Sequence, residues 1–428
     1  MRTERILSIV LAMVLLASAV SLAITPVAAM GQYEKKIPGD ADENDELTKD
    51  ELVNAILPYM LDEGDFTLDD VGDASWVYAY WGGKPKTFTD GFGEDVTFYR
   101  PIERIVSVWC TNNELLKVLN ATDKLVGVDA GMTGVSTTLF PELSDLPDCG
   151  GWYAPNFEAI LSLHPDVYIP WLITTDPAES FYGIQRKRYL EENLPGIPVL
   201  CIDNYEYRTG EYFIEEVRRL GDILDKQEEA EEYIEFYERC MDPIVTVTEG
   251  LSEDEKPRVW ITSLFFTGGQ VTSSPYVYTV FDPVDLAGGR NIAAGLPRSV
   301  KVGLGWVIEQ DPEFIFLQIW AAGNRKSPYA PDYPISEAEK QVKVILDSYE
   351  LSNVSAVVNK NVYVVQYSHF TKGPARVIAT AYMAKLLHPE LFPNLKPQEI
   401  HQEYVDRFLR IDVSVNEANF VYPPLEKS

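Results

Sequence analysis

Short β-branched runs alternate with amphipathic helical stretches twice along this 428-residue chain, and no other feature constrains its fold so strongly. In the first half the strands fall at residues 104–108, 125–128, 167–169 and 198–203, with helices over 112–119 and 156–163. In the second half they fall at 258–262, 314–317 and 362–365, with helices over 337–346 and 375–387. Nearly continuous apolar strands, each followed by a helix, imply mainly parallel sheets covered on both faces. Between the halves, Phe213, Val217, Leu220, Ile223 and Leu224 form one apolar stripe, and residues 226–241 continue a helical pattern. The expected fold class is α/β: two lobes with mainly parallel sheets, joined by one long bridging helix.

Composition narrows the partners. With 66 acidic against 36 basic residues the formal charge is -30. A surface this acidic repels phosphate backbones, so no nucleic-acid role is expected. It also disfavours electrostatic attachment to anionic lipids. The first residues set the compartment. Arg2 and Arg5 precede an apolar run over residues 6–24, and Val27-Ala28-Ala29 offers small residues suited to signal peptidase. Residues 1–29 read as a signal peptide; the competing reading is an uncleaved membrane anchor, since about 20 apolar residues span a bilayer. Both send the remainder outward, to the periplasm or the cell surface. Cys110, Cys149, Cys201 and Cys240 lack CxxC spacing, which argues against a thiolate zinc site. Export permits disulfides, and free buried thiols fit equally well.

Residues 30–83 form an acidic module. Counting Asp40 as position 1, Asp42 is 3, Asn44 is 5, Glu46 is 7 and Glu51 is 12, an interval that wraps oxygens around one hard cation such as Ca²⁺. Asp45 stands at position 6, where Gly usually permits the sharp turn. The plain alternative is a solvated acidic linker with a capped helix. After a second helix near 68–80, Gly82-Gly83-Lys84-Pro85 marks a boundary. The expected units are then 84–208, a bridging segment 209–242, and 243–428.

In parallel sheets, ligands sit beyond the carboxyl ends of the strands. Aromatic residues gather there. In the first half these are Trp109, Trp152, Tyr153 and Trp171. In the second they are Phe265, Phe266, Tyr276, Trp320 and Tyr367, with His369 alongside. Each ring alone could pack on its own loop; repeated at equivalent positions, they suit a bulky planar or chelated guest.

Four segments in order then carry a resemblance: TDGFGEDVTFYRPIERIVSV, NFEAILSLHPDVYIPW, DLAGGRNIAA, and the helix-rich tail after VYVVQYSHF. The chain resembles the periplasmic binding proteins of ABC importers for iron-siderophores, haem and cobalamin, and the module at 40–51 resembles the loop-helix repeat of dockerins. The first resemblance implies capture of a metal chelate in an inter-lobe cleft, with Trp109 to Thr111, Gly151 to Tyr153, Trp171 and the residues from Tyr367 to Phe370 at the ligand. It also implies docking on a permease through one acid per lobe. The first falls on Glu158; the second position falls on Gly305, with Glu309 one turn further on. One cleft histidine cannot hold a naked metal ion, which needs three or four converging ligands. No covalently bound cofactor is implied. The alternative function is a calcium-dependent cell-surface interaction protein working through the module, with a cell-surface protein as partner. No nucleophile elbow, HExxH, P-loop or dinucleotide fingerprint appears, so an enzyme is not expected.

Overall fold

The computed structural model describes residues 37–129, 138–172, 183–202, 210–262, 276–277, 282–296, 300–319, 329, 335–366, 373–417 and 420–424. The signal segment 1–29 lies outside them. Helices α1 (Lys49–Met60) and α2 (Leu68–Trp81) each begin with a capping box, Thr48 with Glu51 and Thr67 with Asp70. These reciprocal bonds satisfy first-turn N–H groups that would otherwise have no partner. The pair closes over Leu47, Leu52, Ile56, Val71, Ala74 and Val77, and Tyr99 from beyond the Gly82-Gly83 turn completes that small core. Arg100 pairs with the buried Asp73 carboxylate, Nε to Oδ1 2.9 Å. The Leu47 N–H donates to the Gly83 carbonyl at 2.7 Å. The boundary expected at 83 is therefore a turn across which the module is fastened down.

The first lobe contains the hairpin β1 (Lys86–Thr89) and β2 (Asp95–Phe98), then β3 (Ile105–Ser107), α3 (Cys110–Val118) and β4 (Leu125–Val128). The two-residue strands β5 (Gly150–Gly151) and β6 (Ala154–Pro155) precede α4 (Phe157–Ser162), β7 (Val167–Ile169) and α5 (Ile184–Asn193). The sheet order is β4-β3-β7, all parallel, and single parallel bridges extend both edges, Val128 with Asp148 and Tyr168 with Val199. The expected strand at 198–203 thus reduces to one bridge at a sheet edge.

Between the lobes, the single long bridging helix expected from the apolar stripe is instead two helices, α6 (Gly210–Ile223) and α7 (Gln227–Thr248). Asp225, at φ 57°, takes a left-handed conformation that ends the first. They then pack closely enough that a Cβ on Gly221 would meet the Ala230 Cβ at 2.5 Å. Helix α7 also runs past the expected end at 242. The second lobe has β8 (Arg258–Thr262), β9 (Tyr276–Val277), α8 (Asp282–Leu286), β10 (Arg290–Asn291), β11 (Val300–Lys301), α9 (Leu304–Gln310) and β12 (Phe314–Ile319). After these come α10 (Ile335–Leu346), α11 (Ser355–Val358), β13 (Val362–Gln366), α12 (Arg376–Leu387), α13 (Pro397–Tyr404) and β14 (Val421–Tyr422). Its sheet, β10-β8-β12-β13-β14, is parallel except for the β14 edge. All four cysteines are buried and free.

One apolar cluster crosses the molecule. It runs from Leu115 and Leu116 on α3, through Tyr233, Phe236 and Met241 on α7, to Val259, Phe316 and Val377 of the second lobe. Glu114 is buried inside this junction, its Oε1 accepting the Tyr404 hydroxyl at 2.6 Å. Desolvation drives its pKa up to about 8, against the smaller lowering effects of Tyr404 and Lys117. The folded protein therefore holds this proton more tightly than the unfolded chain does. The stability it contributes is full below the ordinary value of 4.5 and is lost as pH rises through about 8. The melting temperature should fall across that window, and Glu114→Gln, which still accepts from Tyr404, should flatten the decline. An identical slope in the variant would assign the pH dependence elsewhere.

Candidate functional site

Beyond the carboxyl ends of the first-lobe strands, three indoles meet. Trp109 follows β3, Trp171 follows β7, and their rings stack with centroids 4.4 Å apart and planes 11° apart. Trp152 stands edge-on to both, 4.6 Å from Trp171 and 5.9 Å from Trp109. Such offset and T-shaped pairs satisfy the ring quadrupoles. Trp109 is 8% exposed, Trp152 and Trp171 are half-buried, and Tyr153 is exposed. The rings form one wall, with no gap between Trp109 and Trp171 for a guest.

Local structure explains the wall. The Asn112 amide on α3 donates to the Val108 carbonyl at 2.8 Å and the Pro170 carbonyl at 3.1 Å. It thereby ties together the residues just before Trp109 and Trp171. Trp152 and Tyr153 occupy the tip of the β5–β6 turn, where Gly151 pairs with Ala154. Gly150, at φ 80°, starts that turn; a Cβ there would meet both the Ala154 carbonyl and the Asn156 N–H nitrogen at 2.6 Å. Arg186 on α5 donates from Nη2 to the Trp152 and Tyr153 carbonyls at 3.2 and 3.1 Å. Helix α5 is itself pinned, because the buried Lys187 ammonium lies 2.6 Å from Asp90 and 2.7 Å from Glu94 of the β1–β2 hairpin.

Thr111 departs from expectation. It is wholly buried, and its methyl packs where a Cβ on Gly373 would stand 2.2 Å away, so it belongs to the lobe junction. Phe265, Phe266, Trp320, Tyr367 and His369 lie outside the described residues, as does the side chain of Tyr276, whose backbone pairs with Lys301. At the described strand ends of the second lobe, Thr262 and Gln318 are buried, and neither side-chain nitrogen nor oxygen of Gln318 has a hydrogen-bond partner. Sequence reasoning passed over Asn112, because a polar residue in the first turn of a helix reads as ordinary capping chemistry and its reach to Pro170, 58 residues on, is encoded in no local pattern.

On the outer surface, Glu158 is exposed in the first turn of α4, two residues after its cap Asn156. Gly305 holds the equivalent position of α9, two residues after Gly303, with open space around it. Glu309 is exposed one turn later. In the acidic module, Asp40, Asp42 and Glu51 each bring a carboxylate oxygen within 4.8 Å of the others. Asp45 adopts φ 61°, the left-handed state ordinarily supplied by Gly at that position. Asp40 accepts the Asp45 N–H at 2.9 Å, and the Asn44 side chain accepts that of Glu46 at 2.8 Å. The Glu46 carboxylate turns away to Lys84, 3.2 Å distant, leaving only its main-chain carbonyl for that position. Desolvation, then Glu51 and Asp40, raise the Asp42 pKa, whereas the Thr48 hydroxyl and N–H lower that of Glu51.

Two α/β lobes with mainly parallel sheets thus meet over a common core, with an aromatic wall at a first-lobe strand mouth. The family model described as "Periplasmic binding protein" matches residues 105–367, and the chain belongs to that family. Among curated relatives it is 22% identical over 360 residues to the molybdate-binding protein MolA of Haemophilus influenzae, covering 78% of this chain and 93% of that one. It is also 22% identical over 315 residues to an uncharacterised ABC transporter substrate-binding lipoprotein of Bacillus subtilis, covering 72% and 87%. Two solved structures share the fold. One is an ABC transporter solute-binding protein from Sulfurospirillum deleyianum, with TM-score 0.60, 22% identity, and 78% of this chain against 97% of that one. The other is the TroA-like periplasmic binding protein FepB from Veillonella parvula, with TM-score 0.61, 21% identity, and 77% against 98%. Among the described residues no helix is long and apolar enough to cross a membrane.

Proposed function

We propose that this chain is the exported solute-capturing component of an ABC importer, and that its ligand is an organic metal chelate with broad apolar faces, of the siderophore or tetrapyrrole kind. The observation that carries this reading is the contiguous surface of Trp109, Trp152 and Trp171 at the first-lobe mouth. A chelated metal needs shape and rings from the protein rather than donor atoms. A small oxyanion such as the molybdate of the Haemophilus relative would instead call for free cationic or N–H donors. Here the guanidinium of Arg186, at the edge of the wall, is engaged with the Trp152 and Tyr153 carbonyls. Capture is followed by docking on a permease, with the exposed Glu158 as the first-lobe contact; at the second lobe Glu309 stands in for the acid that Gly305 lacks. The family's working partners, a cognate permease and a small ligand, fit this arrangement.

Titration with a ferric tris-catecholate complex, haemin, cyanocobalamin and molybdate, read by tryptophan fluorescence, tests the ligand class. A chelate should bind, and Trp152→Ala or Trp171→Ala should weaken it about tenfold or more, the scale of one lost aromatic face, with the fold intact by circular dichroism. Binding of molybdate alone would overturn the chelate reading. Unaltered chelate affinity in both variants would remove the wall from the site.

Glu158→Arg should leave ligand affinity as it was and abolish uptake in cells; normal uptake would exclude the docking role. The carboxylates of Asp40, Asp42 and Glu51 make Ca²⁺ the cation of choice for the module, since it accepts several oxygen ligands in a flexible shell. Calorimetry on the full chain should show one calcium site that Glu51→Gln weakens, and no heat would leave the loop a purely structural cap.

A further inference from the structure

A cavity of about 360 Å³ opens between the β1–β2 hairpin and α6, a size at the low end for small-molecule pockets. Arg219 and Tyr212 of α6 line it, with the hairpin tip from Thr89 to Gly93 opposite. Elsewhere in this acidic chain, surface arginines find carboxylates. Arg188 pairs with Glu94 and Glu191, Arg239 with Glu403, and Arg218, the preceding residue on α6, with Glu215 and Glu231. Arg219 pairs with no carboxylate among the described residues. Its Nε donates to the Glu215 carbonyl at 3.3 Å and its Nη1 to the Thr89 carbonyl at 3.4 Å, both long, and Nη2 donates to no described acceptor. Ring faces nonetheless hold the guanidinium, whose Cζ lies 5.9 Å from the centre of Phe88 and 5.7 Å from that of Tyr212.

The hairpin tip decides the sign and shape of what fits. Asp90 also lines the cavity, yet it is buried, and its Oδ1 accepts the Phe92 and Glu94 N–H groups at 3.0 Å each. Its Oδ2 lies 2.6 Å from the Lys187 ammonium, so that charge is neutralised and Arg219 makes the cavity positive. The tip supplies no further donor. The Gly91 N–H goes to the Cys201 carbonyl at 2.9 Å and the Gly93 N–H to the Asp90 carbonyl at 2.8 Å, which leaves none of the four tip amides free. A tetrahedral oxyanion such as phosphate calls for donors from several sides. A planar carboxylate needs only one guanidinium edge and two parallel N–H···O bonds, and Nη1 with Nη2 presents that edge. Phe92 and Tyr212, both half-buried, leave ring surface for an apolar body.

We propose that this cavity is a second binding site, for a small organic carboxylate with an apolar body, gripped by the Arg219 guanidinium. The site shares no residue with the tryptophan wall and does not rest on the receptor reading. Its occupant touches both the first-lobe hairpin and the first of the two helices between the lobes.

NMR titration of the full chain with benzoate, benzamide and inorganic phosphate tests this. Benzoate should bind, and benzamide and phosphate should bind about tenfold more weakly or worse, the scale of a hydrogen bond to a charged group. Arg219→Gln should weaken benzoate by a similar factor. Arg219→Lys, which keeps the charge and loses the fork, should recover only part of the loss. Arg218→Gln, which removes a neighbouring charge outside the cavity lining, should bind benzoate as wild type does. Benzoate that binds no better than benzamide, or equally well to Arg219→Gln, overturns the proposal. So does an equal loss in Arg218→Gln, which would mark a diffuse charge effect. Phosphate matching benzoate, or full recovery by lysine, overturns the carboxylate fork. Should the Arg219 variants not fold, wild-type protein decides. Backbone amide resonances of Gly91 and Gly93 that move with benzoate and not with benzamide support the site, and shifts confined to other residues overturn it. Failure of every chelate to bind would sink the receptor reading alone, because none of these readouts involves the tryptophan wall.

Discussion

The molecule depends on an apolar seam that does not stop at the lobe boundary. Leu115 and Leu116 of one sheet's covering helix and Phe316 of the other sheet belong to one cluster, with the aromatic face of α7 between them. Burial of this kind is non-directional and roughly proportional to area, so it joins the lobes without specifying their fine angle. Polar contacts at the junction do that. Tyr404 reaches across to Glu114, the Tyr233 hydroxyl donates to the Pro374 carbonyl at 2.8 Å, and the Arg376 guanidinium lies 4.9 Å from the centre of the Phe213 ring. A junction so filled favours a receptor whose halves keep nearly fixed relative positions, with recognition placed on surfaces already formed.

Preorganisation has a local counterpart in the tryptophan wall. A ring free to rotate would lose entropy on meeting a ligand, whereas here each ring is already held by the other two and by backbone anchors. Asn112 joins the strand ends, Arg186 braces the turn tip, and the buried Lys187 ion cluster braces Arg186's own helix. The wall is thus supported from three separate elements of the first lobe.

Much of this was legible from residues alone, for a physical reason. The strands at 125–128, 167–169 and 258–262 match their expected limits because β-branched runs buried on both faces have few other ways to pack. The split between α6 and α7 was not legible, since the helical pattern continues on both sides of Asp225 and only its left-handed backbone marks the break. Nor was the run at 198–203 distinguishable from a strand, because an edge bridge and a full strand need the same apolar side chains. At the site, the positions of Trp109, Trp152 and Trp171 were readable as strand mouths, but not the fact that the indoles touch one another. Thr111 looked like a mouth residue and turned out to be sealed against Gly373, a contact across more than 250 residues of chain that no local pattern encodes.

The acidic module is clamped to the first lobe by a carboxylate that cannot easily be abandoned. Asp73 lies almost out of solvent against Arg100, and Tyr99 completes the module's own core. Separating the two bodies would break that ion pair and strip Tyr99 from the module's core. A mechanical pull on the chain at Ile37 is therefore delivered to the half that carries the tryptophans.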